Sequence, residues 1–254
     1  MDKRKLIELW EDKFDAIYCI HYLQYTDKIN KLISELDRVG ILDTSIFEWH
    51  YTFKTPFAEE LLKIHPNLLT AGYVECALAH YSCCKQALSL GYKRILILED
   101  DNVFLKDLDK LYDIVKKIPN NYDICFLDGI WAEPFRQEYE DKSKKHLIND
   151  YFIELDKMFT ILTNAICYNK RGMIHLIKNQ EHSLQFGDVY TRFTKGALED
   201  SNFKRLFATQ SIAIQNPHMV ENSVNGTLSK QISWINTNTS DYQRIGKDFN
   251  QYNI

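Results

Sequence analysis

Residues 94–101 read Arg-Ile-Leu-Ile-Leu-Glu-Asp-Asp, and they are more strand-like than any other part of the chain. The uninterrupted aliphatic run is typical of a strand that is buried on both faces of a parallel sheet. It ends abruptly in carboxylates, and open α/β sheets bind their ligands beyond the carboxyl ends of the strands. The stretch therefore predicts a central strand that carries a functional site at its end.

The carboxylates at this strand end predict a cation site. Because side chains alternate along a strand, Glu99 and Asp101 should point to one side and Asp100 to the other. Two carboxylates on one side suit a hard divalent ion such as Mn²⁺ or Mg²⁺, and such an ion would neutralise a diphosphate leaving group. The alternative is a solvated acidic turn or a helix cap, which needs no ion.

Hydrophobic periodicity extends the pattern on both sides of this run. Strands are predicted over residues 14–20, 45–50, 123–127, 159–168 and 206–215. Helices are predicted over residues 26–40, where Gly40 would end the helix, and over residues 72–90, 108–118 and 171–178. Loops are predicted over residues 51–70, with one helical turn, and over residues 133–150. This order predicts an α/β fold with a mixed, mostly parallel central sheet flanked by helices. No linker or internal repeat divides the chain, so we expect a single domain over residues 1–254.

Composition narrows the classes of partner. The chain has 254 residues, of which 45% are hydrophobic and 26% charged, with a formal net charge of −4. An acidic chain of this kind offers no field that attracts nucleic acid, so no nucleic-acid partner is expected. The first residues lack the apolar segment of a signal peptide, and no apolar run approaches the roughly 18 residues of a membrane span. We therefore expect a soluble, cytoplasmic protein, with peripheral membrane association left open.

The six cysteines are expected to be buried free thiols in a reducing compartment. Most of them lie inside apolar runs, and none forms a Cys-x-x-Cys pair. None is expected at zinc-binding spacing from a histidine. The chain also lacks the glycine-rich motifs of dinucleotide oxidoreductases and P-loop enzymes, which argues against both classes.

Two segments carry a resemblance to a known family. Residues 69–81 read Leu-Thr-Ala-Gly-Tyr-Val-Glu-Cys-Ala-Leu-Ala-His-Tyr, and residues 95–101 follow after Gly91. They resemble glycosyltransferase family 25, whose pattern is Gly-x-x-x-Cys-x-x-Ser-His, a helix and an Ile-Leu-Glu-Asp-Asp strand end. Here Ala79 replaces the serine before His80, and the family's Asn-Leu and paired arginines are absent from the first strand. Residues 161–172 resemble a later segment of the family more weakly.

The resemblance implies a GT-A fold, a UDP-sugar donor, a divalent metal and an inverting mechanism. It implies transfer of a hexose, galactose or glucose, to a glycan or to the hydroxylysine-type hydroxyl of a peptide. Residues 1–130 would then bind the nucleotide sugar, and residues 131–254 would bind the acceptor. Glu99 and Asp101 match the family's equivalent of the Asp-x-Asp metal motif. We expect Asp101 to contact the metal directly, Glu99 to act through water or on the ribose, and Asp100 to bind the donor.

Four further residues are candidates for donor or metal binding. His80 would contact the donor or hold the acidic loop by a hydrogen bond, and the alternative is an ordinary buried histidine. His21 and Tyr22 end the first strand, where GT-A folds bind the nucleotide base, although tyrosines near strand ends commonly belong to the core. His218 follows the last predicted strand and would be an extra metal ligand, unless it is an exposed turn histidine.

An inverting transfer needs a carboxylate that takes the proton of the acceptor hydroxyl. Asp188, in a predicted loop, is the first candidate, although it could equally cap a following helical segment. Asp128, at the end of a predicted central strand, competes with it, and Glu133 is a weaker candidate. Trp131 is a candidate for the acceptor subsite. Ser223 and Asn225 would reach the diphosphate if the C-terminal tail closes over the donor.

Two other functions use the same residues. A nucleotidyltransferase or phosphohydrolase would employ the carboxylates and a metal on a different phosphate ester. A non-catalytic scaffold would keep the fold and lose the chemistry, and the departures from the family pattern are the reason to consider it.

Overall fold

The computed structural model describes residues 1–23, 26–53, 55–64, 71–128, 147–154, 164–186, 202–215 and 251. The helices in these ranges are α1 (Lys3–Lys13), α2 (Thr26–Arg38), α3 (Pro56–Ile64), α4 (Ala71–Ser89), α5 (Leu108–Lys116) and α6 (Lys170–Phe186). The strands are β1 (Ala16–Tyr22), β2 (Phe47–Thr52), β3 (Arg94–Glu99), β4 (Asn102–Phe104), β5 (Ile124–Phe126), β6 (Leu147–Asn149), β7 (Phe152–Glu154), β8 (Ala165–Asn169), β9 (Arg205–Ala208) and β10 (Ala213–Gln215).

Within the described ranges, the larger of two sheets has eight strands in the order β2-β1-β3-β8-β5-β9-β7-β6. β1 pairs in parallel with β2 and β3, and β5 pairs in parallel with β9. The other ladders of this sheet are antiparallel, and β4 and β10 form a second, antiparallel sheet. The predicted α/β fold with a mixed central sheet flanked by helices is confirmed.

The two faces of the larger sheet are covered by different helices. Leu96 and Leu98 of β3 pack with α1, α2 and α5, whereas Ile95 and Ile97 pack with α4 and α6. All four side chains are fully buried, and each such burial stabilises the fold by about 1.5–3 kcal/mol. Because Glu99 continues this alternation, it lies on the face that α4 covers.

The β1–α2–β2 unit aligns the strands beside β3. Gly40 follows α2 with a φ of 77°, a left-handed conformation that a glycine adopts without a steric penalty. The next amide, of Ile41, donates to the carbonyl of Leu36, which satisfies one of the last carbonyls of the helix. The chain can then turn back into β2, which runs parallel to β1. The prediction that Gly40 ends this helix is confirmed.

The start of α6 lies against β5 with no space for a side chain. A Cβ atom on Gly172 would lie 1.9 Å from the carbonyl oxygen of Asp123. The side-chain oxygen of Asn169 accepts a hydrogen bond of 2.8 Å from the Gly172 amide and so caps the first turn. Gly172 belongs to the segment that resembles the family pattern, and its role here is this close approach.

Several elements differ from the sequence-based expectation. α1 was not predicted, although Asp2 caps it and Leu6, Leu9 and Trp10 bury one face of it. Residues 51–70 contain α3, a longer helix than the single turn expected, and residues 171–178 extend into the longer α6. The single strand predicted over residues 206–215 is two strands, because a bend over residues 209–212 sends β10 into the smaller sheet.

The cysteines follow the prediction with one exception. All six are free thiols, and five of them are buried. Cys76 on α4 is only half-buried, which gives it access to the edge of the sheet. Within the described part of the chain, no helix combines the length and the apolar character that a membrane crossing requires.

Candidate functional site

The predicted site lies where β1 and β3 end side by side. Ile20 of β1 is paired with Glu99, the last residue of β3. The chain then turns through Asp100 and Asp101 before β4 begins at Asn102. This acidic turn, residues 99–101, therefore links the larger sheet to the smaller one at the carboxyl edge of the parallel strands.

Asp100 ties the acidic turn to the end of β1. Its Oδ2 atom accepts the backbone N–H of Tyr22 at 2.9 Å and lies 2.9 Å from Nδ1 of His21. The side chains of His21 and Asp100 are only 5% and 15% exposed. Hydrogen bonds that are shielded from water in this way fix geometry well, so Asp100 holds the turn in place. Its predicted contact with a donor stays a prediction.

Glu99 faces the opposite way, towards α4. Its Oε1 atom lies 3.1 Å from Nε2 of His80 and accepts a hydrogen bond of 3.4 Å from Sγ of Cys76. His80 is fully buried, whereas the side chain of Glu99 is 21% exposed. The structure thus shows the hydrogen bond between His80 and the acidic turn that the sequence offers as one role for this histidine.

The three atoms of this trio, which we call the Cys76–His80–Glu99 cluster, lie within 4.8 Å of one another. Cys76 and His80 are four residues apart on α4, so their side chains lie on one face of the helix. The expectation that no cysteine stands at metal-binding spacing from a histidine is therefore wrong for Cys76. The sequence showed the Cys-x-x-x-His spacing, but the third ligand comes from a strand end that only the fold places beside it.

The buried residues Asn102 and Asn164 hold the acidic turn in place by hydrogen bonds. The Asn102 side chain donates to the carbonyls of Glu99 at 2.8 Å and Asn164 at 2.6 Å. Asn164 in turn donates its side-chain amide to Asn102 Oδ1 at 2.9 Å, and its carbonyl accepts the Glu99 N–H at 2.9 Å. Sequence reasoning missed both residues, because an isolated asparagine carries no periodic signal.

Asp101 is 7% exposed and lies at the end of this turn. Strand alternation predicts that it shares a side with Glu99, but β3 ends at Glu99 and the rule does not apply beyond the strand. Buried carboxylates close together resist ionisation unless a cation or hydrogen bonds stabilise them. The acidic turn also affects Cys19 of β1. Burial raises the pKa of the Cys19 thiol well above its usual value, and the charges of Asp100, Asp101 and Glu99 raise it further.

Asp128 lies beyond β5 at the same edge of the sheet. β3 and β5 both pair antiparallel with β8, so their carboxyl ends point the same way. Asp128 is 1% exposed, and its Oδ1 atom accepts a hydrogen bond of 3.0 Å from Ser211 Oγ. A general base must come within hydrogen-bond reach of the acceptor hydroxyl, so Asp128 would need the acceptor to enter this enclosed position.

The remaining predicted residues lie outside the described ranges. They are the general-base candidates Asp188 and Glu133, the metal ligand His218, the acceptor-site residue Trp131, and the tail residues Ser223 and Asn225. Each of these roles stays a prediction.

Aromatic side chains beside His21 were missed in the sequence. Tyr22 itself is 8% exposed, and burial, followed by the charge of Glu75, raises the pKa of its phenol. On the neighbouring strand, Trp49 and Tyr51 stack with ring centroids 6.1 Å apart, and both lie 6.2 Å from the His21 ring. Tyr51 is 53% exposed and offers an open aromatic face, which Tyr22 does not.

The α4 side of the site also holds a second histidine. His50 of β2 is paired with Ile20, whose side chain packs on the face that α4 covers. Its pKa is lowered from the usual value, first by burial and then by the charge of His80. Burial and the charge of His80 therefore both disfavour the protonated form of His50.

A family model described as "Glycosyltransferase family 25 (LPS biosynthesis protein)" matches residues 14–182. The chain belongs to this family. The matched range contains α4, the acidic turn and Asp128, so the resemblance drawn from the sequence is confirmed. Membership makes the protein a glycosyltransferase, an enzyme that uses an activated sugar donor and an acceptor.

Comparisons beyond the family add little. A search of curated proteins found no match. Among solved structures, the apo form of mouse xyloside xylosyltransferase 1 is 9% identical with a TM-score of 0.36, covering 76% of this chain and 83% of that one. A mannose-1-phosphate geranyltransferase from Thermus thermophilus has the same identity and TM-score, covering 76% of this chain and 72% of that one. Neither similarity bears on donor or acceptor.

Proposed function

We propose that this family 25 enzyme transfers galactose or glucose from a UDP-sugar to a hydroxyl group of a glycan or of a hydroxylysine-type peptide. Transfer would be metal-dependent and would invert the configuration at the anomeric carbon. The observation that carries the proposal is the acidic turn over residues 99–101, which lies at the joint carboxyl edge of β1 and β3. α/β sheets bind nucleotides at this kind of edge.

The residues of the turn fit a hard divalent cation. Asp100 anchors the turn through His21 and Tyr22, and Glu99 and Asp101 are the proposed carboxylate ligands, as the family motif implies. Mn²⁺ and Mg²⁺ prefer such oxygen ligands, and a cation would offset the cost of crowding these acids in a partly buried place. When bound, the ion would neutralise the diphosphate that leaves with the nucleotide. His218 would complete the ligand set.

The protein's own residues would do the positioning. Asp100 fixes the end of β1, so that His21 and the neighbouring aromatic residues can contact the nucleotide base of the donor. His80 fixes the orientation of Glu99. Precise placement of this kind supplies much of the rate enhancement in bimolecular reactions.

The catalytic base is proposed to be Asp188, with Asp128 as the alternative. Asp128 is buried and already accepts a hydrogen bond from Ser211, which favours a structural role in the absence of an acceptor. The variants Asp188→Asn and Asp128→Asn distinguish the two candidates. Replacement of the catalytic base should lower turnover by about 100-fold or more and leave the donor affinity unchanged, whereas replacement of the other carboxylate should not.

The departure at Ala79 gives no support to a non-catalytic scaffold. Ala79 is 3% exposed and packs in the core between α4 and the sheet. The serine of the family pattern is therefore replaced at a packing position, and the Cys76–His80–Glu99 cluster beside it is complete. The free thiols support a reducing compartment such as the cytoplasm, and peripheral membrane association stays a prediction.

A donor panel tests the function. The purified chain is incubated with the common sugar nucleotides, with Mn²⁺ or with a chelator, and nucleotide release is measured. We expect release from a UDP-hexose that requires the ion and rises with a glycan acceptor. Release from no sugar nucleotide under any condition contradicts the proposal, and turnover of a nucleoside triphosphate alone would favour the other metal enzymes.

A further inference from the structure

We propose that the Cys76–His80–Glu99 cluster is a second cation site, which binds Zn²⁺ or a cation of similar preference. It differs in ligand chemistry from the hard-cation site proposed at the acidic turn, with which it shares Glu99. It does not depend on the identity of the sugar, the nucleotide or the acceptor.

The fold brings the three ligands together from two elements. Cys76 and His80 lie one helical turn apart on α4 and project from the same face. Glu99 ends β3 on the face that α4 covers, where Ile95 and Ile97 already pack against the helix. The packing of α4 on the sheet therefore determines the distance between the ligands.

Two of the three distances between the ligand atoms are close to those of a tetrahedral site. The Glu99 Oε1 atom is 3.4 Å from Cys76 Sγ and 3.1 Å from His80 Nε2. Bond lengths of about 2.3 Å to sulfur and about 2.0–2.2 Å to nitrogen and oxygen place tetrahedral ligands roughly 3.3–3.6 Å apart. The third pair, Cys76 Sγ and His80 Nε2, lies within 4.8 Å, and rotation of these side chains on α4 would adjust this distance.

The ligand set selects the cation. One thiolate, one imidazole and one carboxylate suit Zn²⁺ well, whereas Mn²⁺ and Mg²⁺ prefer oxygen ligands only. Sites with three protein ligands keep a fourth position for water or another small ligand. That position is reachable, because Cys76 is half-buried and the Glu99 side chain is 21% exposed. His80 is fully buried and packs edge-on to Tyr168, so its ring is already oriented.

Cobalt spectroscopy on the metal-free, reduced chain of 254 residues tests the site without any nucleotide. One equivalent of Co²⁺ should bind with a thiolate-to-cobalt charge-transfer band and intense tetrahedral bands in the visible range. Zn²⁺ should displace it and remove the colour. Binding without a charge-transfer band, or no binding at micromolar concentrations of either ion, overturns the proposal.

Two variants and one control assign the ligands. Cys76→Ser should abolish the charge-transfer band and weaken Zn²⁺ binding by more than about 100-fold, since even outer-shell losses cost about 10–100-fold. Glu99→Gln, which keeps the size of the side chain, should weaken Zn²⁺ by at least about tenfold. Cys84→Ala, in the core on the same helix, should leave the spectrum unchanged. A band that survives in Cys76→Ser, or an unchanged affinity in Glu99→Gln, contradicts the assignment.

The two proposals fail separately. If no sugar nucleotide is turned over but the cobalt spectrum follows these variants, the cation site stands and the proposed function falls. If turnover with Mn²⁺ is found but Co²⁺ shows no sulfur ligand, the proposed function stands and the cluster is a hydrogen-bonded support for Glu99.

Discussion

Two adjacent carboxylates of the acidic turn have different surroundings. Asp100 faces β1, where it accepts a backbone N–H and contacts His21 at the end of a buried strand. Glu99 faces α4, where its partners are the side chains of Cys76 and His80. Backbone donors hold their positions with the sheet, whereas side-chain donors can exchange for a ligand. The β1 side of the turn is therefore the anchor, and the α4 side is the part suited to chemistry.

Asp101 provides the largest expected effect. If it is the direct ligand of the hard cation, Asp101→Asn should lower turnover by about 1000-fold, since a metal supplies several kcal/mol of transition-state stabilisation. The measurement is kcat/KM for the donor found in the panel, at saturating Mn²⁺. Asp107→Asn is a matched control, because this exposed carboxylate caps α5 and asparagine caps equally well. Equal turnover in the two variants would show that Asp101 is not a ligand of the cation.

The anchoring role of Asp100 should show in stability. Asp100→Ala leaves the N–H of Tyr22 and the ring of His21 without their acceptor, which should lower the free energy of unfolding by about 2–4 kcal/mol. Asp100→Asn keeps an acceptor oxygen and should cost less than half of that. Urea unfolding of the two variants and the parent chain gives both values. A loss in Asp100→Ala no larger than in Asp100→Asn would show that the turn does not depend on these bonds.

The smallest expected effect is the pH dependence of stability that His50 causes, and it tests how far α4 shields this side of the turn. Its pKa is lowered in the folded chain by burial and by His80, so the unfolded chain binds more protons between the folded pKa and about 6.5. Stability should therefore fall as the pH drops below about 6.5, and level off below the folded pKa. One proton contributes at most about 1.4 kcal/mol per pH unit.

The variant His50→Gln isolates this contribution. Urea unfolding of both proteins at pH 7.5 and pH 5.5 should show that the parent chain loses more stability on acidification than the variant does. Titrating groups that do not interact with His50 cancel in this difference. A parallel loss in the two proteins would mean that His50 is not shielded by α4.

The strand end could be predicted because its signal is local and strong. Residues 94–98 are continuous and apolar, and the carboxylates follow without an intervening residue. α4 carries a long helical pattern, so its existence was predictable as well. What the sequence could not supply is the course of the chain after Glu99, where the Asn102 side chain donates to the Glu99 carbonyl and the Glu99 N–H donates to the Asn164 carbonyl. For this reason the alternation rule failed to place Asp101.

The residues that contact the acidic turn could not be predicted, because they are far from it along the chain. Cys76 and Glu99 are 23 residues apart and Asn102 and Asn164 are 62 apart, and neither separation has a local signature. α1 was missed because its buried stripe has only three residues, Leu6, Leu9 and Trp10. The split of residues 206–215 was missed because both halves are apolar and differ only in their sheet.

The central claim is that the acidic turn binds a cation that holds the donor's diphosphate. Calorimetric titration of UDP into the chain, with and without Mn²⁺, tests it directly, using Asp101→Asn beside the parent protein. We expect UDP to bind at least about tenfold more tightly with Mn²⁺, which is about 1.4 kcal/mol, and this gain to vanish in the variant. An affinity for UDP that is the same with and without Mn²⁺ in the parent protein would contradict the account.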